Sequence, residues 1–180
     1  LRKAEANLKK EQRKLSRKLE AAKKDKRDYS KCKNYKEQRL KLSRLHKHVA
    51  NQRLDFIRNV VNEEVKNHDY LFAEDLKTCN LIKNPKLAKA ISDSGWRMFL
   101  IELQNCASKR GKTCLLVNPK NTTQTCSNCG YVCHGNTHIT LGKEEWICPN
   151  CGAYHIRDYN AGKNILATGL AILKESGVSA

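Results

Sequence analysis

Two Cys-x-x-Cys knuckles in the C-terminal third of the chain constrain its folding more than any other feature. They are Cys126-Ser-Asn-Cys129 and Cys148-Pro-Asn-Cys151, with 18 residues between the inner cysteines. Four thiolates at that spacing describe a tetrahedral zinc site to which each knuckle contributes a pair of ligands. A segment built this way depends on metal to fold, since structural zinc contributes roughly 10–16 kcal/mol of apparent binding energy in small finger peptides. Two disulfides are the competing arrangement. The nine cysteines are an odd number, however, and the spacing is that of a metal site. Both facts favour a reducing, intracellular (cytoplasmic) compartment. Cys133 and His134 sit close by and leave a Cys3His variant open, but with the four outer cysteines available they are expected not to ligate. Cys32, Cys79, Cys106 and Cys114 lack partner spacing and read as packing residues or bystanders.

The second knuckle is followed by His155-Ile-Arg-Asp-Tyr-Asn-Ala161, in which Asp158 stands seven residues past Cys151 and opens a helical pattern. That helix extends to about Lys174, with Ala161, Ile165, Leu166, Leu170 and Leu173 expected to face inward. Upstream, Asp69-Tyr-Leu-Phe-Ala73 is an apolar run short enough for a buried strand, and it ends on Glu74. A helix is expected over 87–109, with Leu87, Ile91, Trp96, Phe99, Leu100, Leu103 and Ala107 turned to a core, closed by Arg110-Gly111. Thr113 to Asn118 is the next strand, stopped by Pro119. Strands alternating with helices give an α/β core.

Acids at the ends of core elements are where α/β folds tend to place chemistry. Two-metal phosphodiester cleavage needs such carboxylates, converging on divalent ions about 3.5–4 Å apart. Hard oxygen ligands suit Mg²⁺ or Mn²⁺. A Glu after a strand is also an ordinary surface residue, and an Asp before a helix an ordinary cap.

The charge is as uneven as the cysteine distribution. Residues 1–68 hold 22 Lys/Arg against 9 Asp/Glu, a net +13 out of +17 for the whole chain. Such asymmetry points to a polyanionic partner, nucleic acid being the usual one, although a solvated helix surface has the same look. No Pro or Gly occurs in the first 84 residues. A charged helix over 1–28 with a thin seam (Leu8, Leu15, Leu19) is expected to break around Asp25 to Ser30. A longer helix follows, about Lys31 to Asn67, with Leu42, Leu45, Val49, Phe56, Val60 and Ile57, Val61, Val65 on its apolar side. No apolar run reaches the roughly 18–20 residues needed to span a bilayer.

Several stretches together resemble the TnpB proteins, the transposon-encoded OrfB family related to type V CRISPR nucleases. In chain order these are Leu45-His46, Val49-Ala-Asn-Gln-Arg53 and Asp55-Phe56; Ala73-Glu-Asp-Leu76; Val117 through Gly130; Cys148-Pro-Asn-Cys-Gly152; and Arg157-Asp-Tyr-Asn-Ala161 with Asn164-Ile165. The resemblance covers nearly the whole chain and matches the C-terminal half of those proteins. It implies a partial RNase H-like (RuvC-like) core carrying a long basic helical hairpin and an inserted zinc ribbon that binds target nucleic acid. The implied divisions are 1–68 for the basic helical linker, 69–118 for the core segment, 119–153 for the ribbon and 154–180 for the final helix. The implied activity is RNA-guided DNA cleavage through Mg²⁺ or Mn²⁺, with a guide RNA and target DNA as partners.

Matched position by position, Glu74 is the second catalytic acid and Asp158 the third, both ligating the catalytic metal, with Arg157 a phosphate contact. Arg39, Arg44, Arg53 and Lys120 are further candidate nucleic-acid contacts. The family's first catalytic Asp has no counterpart here. The chain starts at Leu1 inside a helix-like run, so it is expected to be part of a longer protein and inactive by itself. Ile156 stands where many relatives have Asp, and Gly162 where Ala is common.

Two other readings stay open at this level. The chain could be a non-catalytic RNA/DNA-binding module, as in nuclease-dead guided repressors, or a zinc-ribbon transcription or ribosomal factor. The latter leaves Glu74, Trp96 and the Asp158 helix unexplained. His138, Tyr131 and Trp146 could stack on bases or pack the ribbon.

Overall fold

The computed structural model describes residues 1–81, 83, 95–140 and 142–177. They form two compact units, Leu1–Val60 and Val61 onward.

The first unit is a helical hairpin. Helix α1 (Arg2–Lys24) ends where expected, with Lys26 in the left-handed region at φ 53° and a short 3-10 turn at Tyr29–Lys31. Asp28 caps that turn by accepting from the Ser30 amide at 2.9 Å. Helix α2 (Lys33–Asn67) then runs back along α1. The pairing is antiparallel: Arg53 meets Glu5 at 2.7 Å, Lys41 meets Glu11 at 3.3 Å, and Lys18 donates to the Asn34 carbonyl at 3.3 Å.

The seam between the helices is thin. Leu8, Leu15, Leu19, Leu42 and Leu45 are only half-buried, while Ala22 and Val49 are buried. A carboxylate sits among them. Glu11 is 3% exposed and is held by Lys14, Gln38 and Lys41, whose donation keeps its carboxyl down at about 2. Phe56, expected on the apolar side of α2, is instead 69% exposed. Helical residues advance by 100° each, so with Ile57 buried its neighbour is rotated away from the buried side of α2.

The second unit is an α/β assembly. Strand β1 (Tyr70–Glu74) pairs in parallel with β2 (Thr113–Val117), Tyr70 opposite Thr113 and Glu74 opposite Val117. Parallel neighbours require a crossover, which here includes α3 (Thr78–Leu81) and α4 (Trp96–Lys109). Helix α4 ends as the sequence indicates, with Gly111 in the left-handed region at φ 66°. Leu87 and Ile91, assigned to the same helix from the sequence, lie outside the described residues. Helix α5 (Arg157–Glu175) packs on both strands. The core comprises Val61, Val65, Ala73, Leu100, Leu103, Ala107, Val117, Ala161 and Leu173. Leu166 is 49% exposed rather than inward, because the inward line on α5 runs Ala161, half-buried Ile165, Gly169 and Leu173 at intervals of four.

Gly169 is where α5 meets β1. A Cβ on Gly169 would overlap the Phe72 ring, whereas one on Gly162, in the same helix, meets nothing within 4 Å. Gly169→Ala is therefore expected to lower stability by about 1–3 kcal/mol through overpacking. Gly162→Ala should raise it by up to about 1 kcal/mol through helix propensity. Denaturant unfolding of the two variants beside the parent chain checks the contrast.

The knuckles belong to a ribbon with strands β3 (Glu145–Ile147) and β4 (Tyr154–Ile156), paired antiparallel with Trp146 opposite His155. Thr125 and Val132 form a further bridge. Strand β4 leads straight into α5.

Candidate metal centre and adjoining acids

The four knuckle cysteines converge. Their Sγ atoms all lie within 4.8 Å of one another, with Cys126 to Cys151 and Cys129 to Cys148 at 3.7 Å. A tetrahedral zinc with Zn–S bonds of about 2.3 Å has sulfur–sulfur edges of about 3.8 Å. A disulfide needs about 2.05 Å, and all nine cysteines are free. The donor set and its spacing therefore fit zinc, with Cys126, Cys129, Cys148 and Cys151 as the residues that would hold it.

The two knuckles repeat one local design. In each, the glycine after the second cysteine takes a left-handed conformation (Gly130 φ 76°, Gly152 φ 72°) and its amide donates back to the first cysteine's carbonyl at 2.9 Å. Only a residue without Cβ adopts that turn freely. The Asn inside each knuckle reaches the other one: Asn128 donates to Cys151 Sγ at 3.6 Å, and Asn150 donates to Cys129 Sγ at 3.5 Å.

These donors and the burial set the thiols apart. Donation from Asn128 brings exposed Cys151 down to about 6, and Asn150 lowers Cys129. Burial pushes Cys126 up to about 12. Cys151 is thus poised as thiolate, while buried Cys126 relies on a cation to release its proton.

Cys133 lies in the ribbon's core with Cys126, Ile139, Trp146 and Cys148, and Tyr131 packs against that cluster. Trp146 is 3% exposed and its ring faces His155 at 4.6 Å, so it is committed to packing and is not an open stacking platform. His138 is exposed.

The segment that enters the first knuckle is bonded to Glu74 itself and to the helix that carries Asp158. Glu74, at the end of β1, accepts from the Thr122 hydroxyl at 2.5 Å. Asn164 of α5 donates to the carbonyls of Thr122 at 2.9 Å and Thr125 at 2.7 Å. Asn160, 1% exposed, donates to the Thr125 carbonyl at 2.7 Å and accepts from the Ser127 amide at 2.9 Å. Residues 122–127 are therefore tied to the strand that ends in Glu74 and to the helix that begins beside Asp158.

Asp158 lies in the first turn of α5, its side chain 83% exposed and paired with Arg157 Nε at 3.0 Å. A carboxylate there complements the helix dipole. Ile156 occupies the cap position and supplies no side-chain acceptor. Neither asparagine role emerged from sequence reasoning. Polar residues four apart, Asn160 and Asn164, on an otherwise apolar helix were the available signal.

Among the candidate nucleic-acid contacts, Arg39, Arg44 and Lys120 are exposed. Arg53 is half-buried and paired with Glu5 at 2.7 Å, which gives it a role in the hairpin itself. Among the described residues no helix is long and apolar enough to cross a membrane.

Comparisons with known proteins cover both units of the chain. Residues 1–85 match the OrfB_IS605 family, described as "Probable transposase", and residues 96–165 match "Cas12f1-like, TNB domain". A "Putative RNA-guided DNA endonuclease" of Streptomyces pristinaespiralis is 34% identical over 171 residues, covering 94% of this chain and 39% of the relative. The "Putative RNA-guided DNA endonuclease InsQ" of Escherichia coli K12 is 31% identical over 177 residues, covering 90% of this chain and 41% of the relative. The chain thus spans about two fifths of the length of these relatives.

Among solved structures, the cryo-EM structure of a Cas12f1–sgRNA–target DNA complex matches 69% of this chain and 36% of its own, with a TM-score of 0.52 and 20% identity. The fold is of that α/β kind. The chain is similar to the OrfB family and to these TnpB-like relatives.

Proposed function

We propose that this chain is the C-terminal part of a transposon-associated, RNA-guided DNA endonuclease. Its second unit is read as part of an RNase H-like (RuvC-like) core, with 1–68 as the basic linker, 69–118 and 154–180 as core segments, and 119–153 as the nucleic-acid-binding ribbon. Glu74 and Asp158 are the residues that would hold Mg²⁺ or Mn²⁺. Those ions supply an activated water and a stabilised leaving oxygen.

The observation that carries this reading is the shared anchorage of the two acids. The Glu74 strand and the Asp158 helix are both hydrogen-bonded to residues 122–127, through Thr122, Asn160 and Asn164. Arg157, paired with Asp158 at 3.0 Å, would neutralise a phosphate oxygen at the same site. The family's first acid has no counterpart in these 180 residues, so the chain alone is expected to hold divalent ions weakly and cleave little. The relatives' names support guide RNA and DNA as partners of the whole protein. Base pairing by the guide would then supply specificity, and the basic helices the backbone affinity.

A non-catalytic binding module is the second reading, favoured by Glu74 and Asp158 each already having a protein partner, Thr122 and Arg157. The two separate in a plasmid-cleavage assay of the complete reading frame with its transposon-end RNA in Mg²⁺. Guide-dependent cutting is expected. Guide-dependent binding without cutting would establish the binding module.

A further inference from the structure

His155 carries a role in the metal centre that its spacing does not reveal. It is 8% exposed, in the middle of β4, with Nε2 at 3.1 Å from Cys126 Sγ and its ring against Trp146. We propose that His155 is a positioning residue of the metal centre, its Nε2–H donating to the Cys126 thiolate and coupling the ribbon to the helix that carries Asp158. The proposal rests on the zinc reading of the four cysteines.

The chemistry fixes the direction of the bond. A metal-bound thiolate has lone pairs and no proton, so a nitrogen lone pair at 3.1 Å would repel it. Contact at that distance needs the hydrogen on Nε2. Donation of this kind orients a ligand and tunes its charge, and its loss typically costs 10–100-fold in metal affinity.

The location gives the bond a second consequence. Asn128 and Asn150 donate from within the knuckles, whereas His155 comes from the strand that continues directly into Arg157 and Asp158. Two neighbouring bonds act on the same junction: the Arg157 amide donates to the Glu144 carbonyl at 2.7 Å, and the Ser127 amide donates to Asn160 Oδ1 at 2.9 Å. The start of α5 is thereby attached to a ligand of the metal as well as to the backbone around it.

The test uses the 180-residue chain with zinc removed and Co²⁺ added, which reports thiolate ligation through charge-transfer absorption. Absence of the cobalt–thiolate bands in the parent chain would remove the zinc reading and the proposal with it. Given those bands, His155→Phe keeps a ring against Trp146 but loses the donor. Its charge-transfer band should move to longer wavelength, and zinc affinity by chelator competition should fall at least about tenfold.

His155→Gln can present an amide N–H near the Nε2 position and should restore both readouts to within about threefold of the parent. A parental band and affinity in His155→Phe would overturn the proposal. So would equal losses in Phe and Gln, which would mean that an N–H donor at this position is not what the centre requires. If His155→Phe does not fold, the Gln variant decides: parental readouts support donation, and their loss refutes it.

Discussion

Stripping the metal from the four-cysteine centre, or replacing Cys148 by Ser, is expected to unfold the ribbon from about Thr122 to Ile156. The reason is the size of its core. Five residues, Cys126, Cys133, Ile139, Trp146 and Cys148, form the buried cluster. A module of under about 40 residues rarely folds on so little apolar burial without a metal or a disulfide. Since structural zinc contributes roughly 10–16 kcal/mol in comparable peptides, no rearrangement of those side chains offsets its loss.

Trp146, buried against His155, is the natural reporter. A strong chelator in reducing buffer should shift its fluorescence to that of an exposed indole, and zinc should restore the folded signal at one equivalent per chain. Insensitivity to chelator combined with sensitivity to reductant would mean disulfides instead.

The second large effect concerns the acids. In the complete protein with guide RNA, Glu74→Gln and Asp158→Asn should each reduce cleavage by at least about a thousandfold, some 4 kcal/mol of transition-state stabilisation. Guided target binding should stay within about twofold, because each change is isosteric and removes only charge. Glu74→Gln keeps an acceptor for the Thr122 hydroxyl, so the anchorage of 122–127 survives. Rates measured under single-turnover conditions beside equilibrium binding separate the two quantities. Equal losses in both would mean that the acids hold the fold rather than the metal.

Much of this architecture was legible in the sequence, for reasons that differ by element. The knuckles announce themselves because four ligands must be spaced to meet one ion. β1 and β2 were visible as short apolar runs, one ending on Glu74 and one stopped by Pro119. The break between α1 and α2 showed as a failure of periodicity and appears as the Asp28-capped turn. Phe56 and Leu166 were misassigned because a wide apolar arc in sequence meets a narrower contact line in the folded helix, set by which neighbour is nearest. Strand β4 went unrecognised because three residues between a knuckle and a helix carry no periodicity of their own.

The bonds around the candidate site were the least legible. Thr122 to Glu74 spans 48 residues, and Ser127 to Asn160 spans 33. Neither side chain belongs to a residue type that requires a particular partner. Their roles depend on the crossover bringing β1, α5 and the ribbon's entry together, a tertiary fact with no local signature. The same holds for His155, whose place beside Cys126 follows from the β3–β4 register.

The most direct test of the central claim is a structure of the complete protein with guide RNA and matched DNA, formed in Ca²⁺ to halt cleavage. Two ions about 3.5–4 Å apart are expected, with carboxylate oxygens of both Glu74 and Asp158 bound to them. An ordered complex with those carboxylates well over about 10 Å apart, too far to share or bridge an ion, would contradict it.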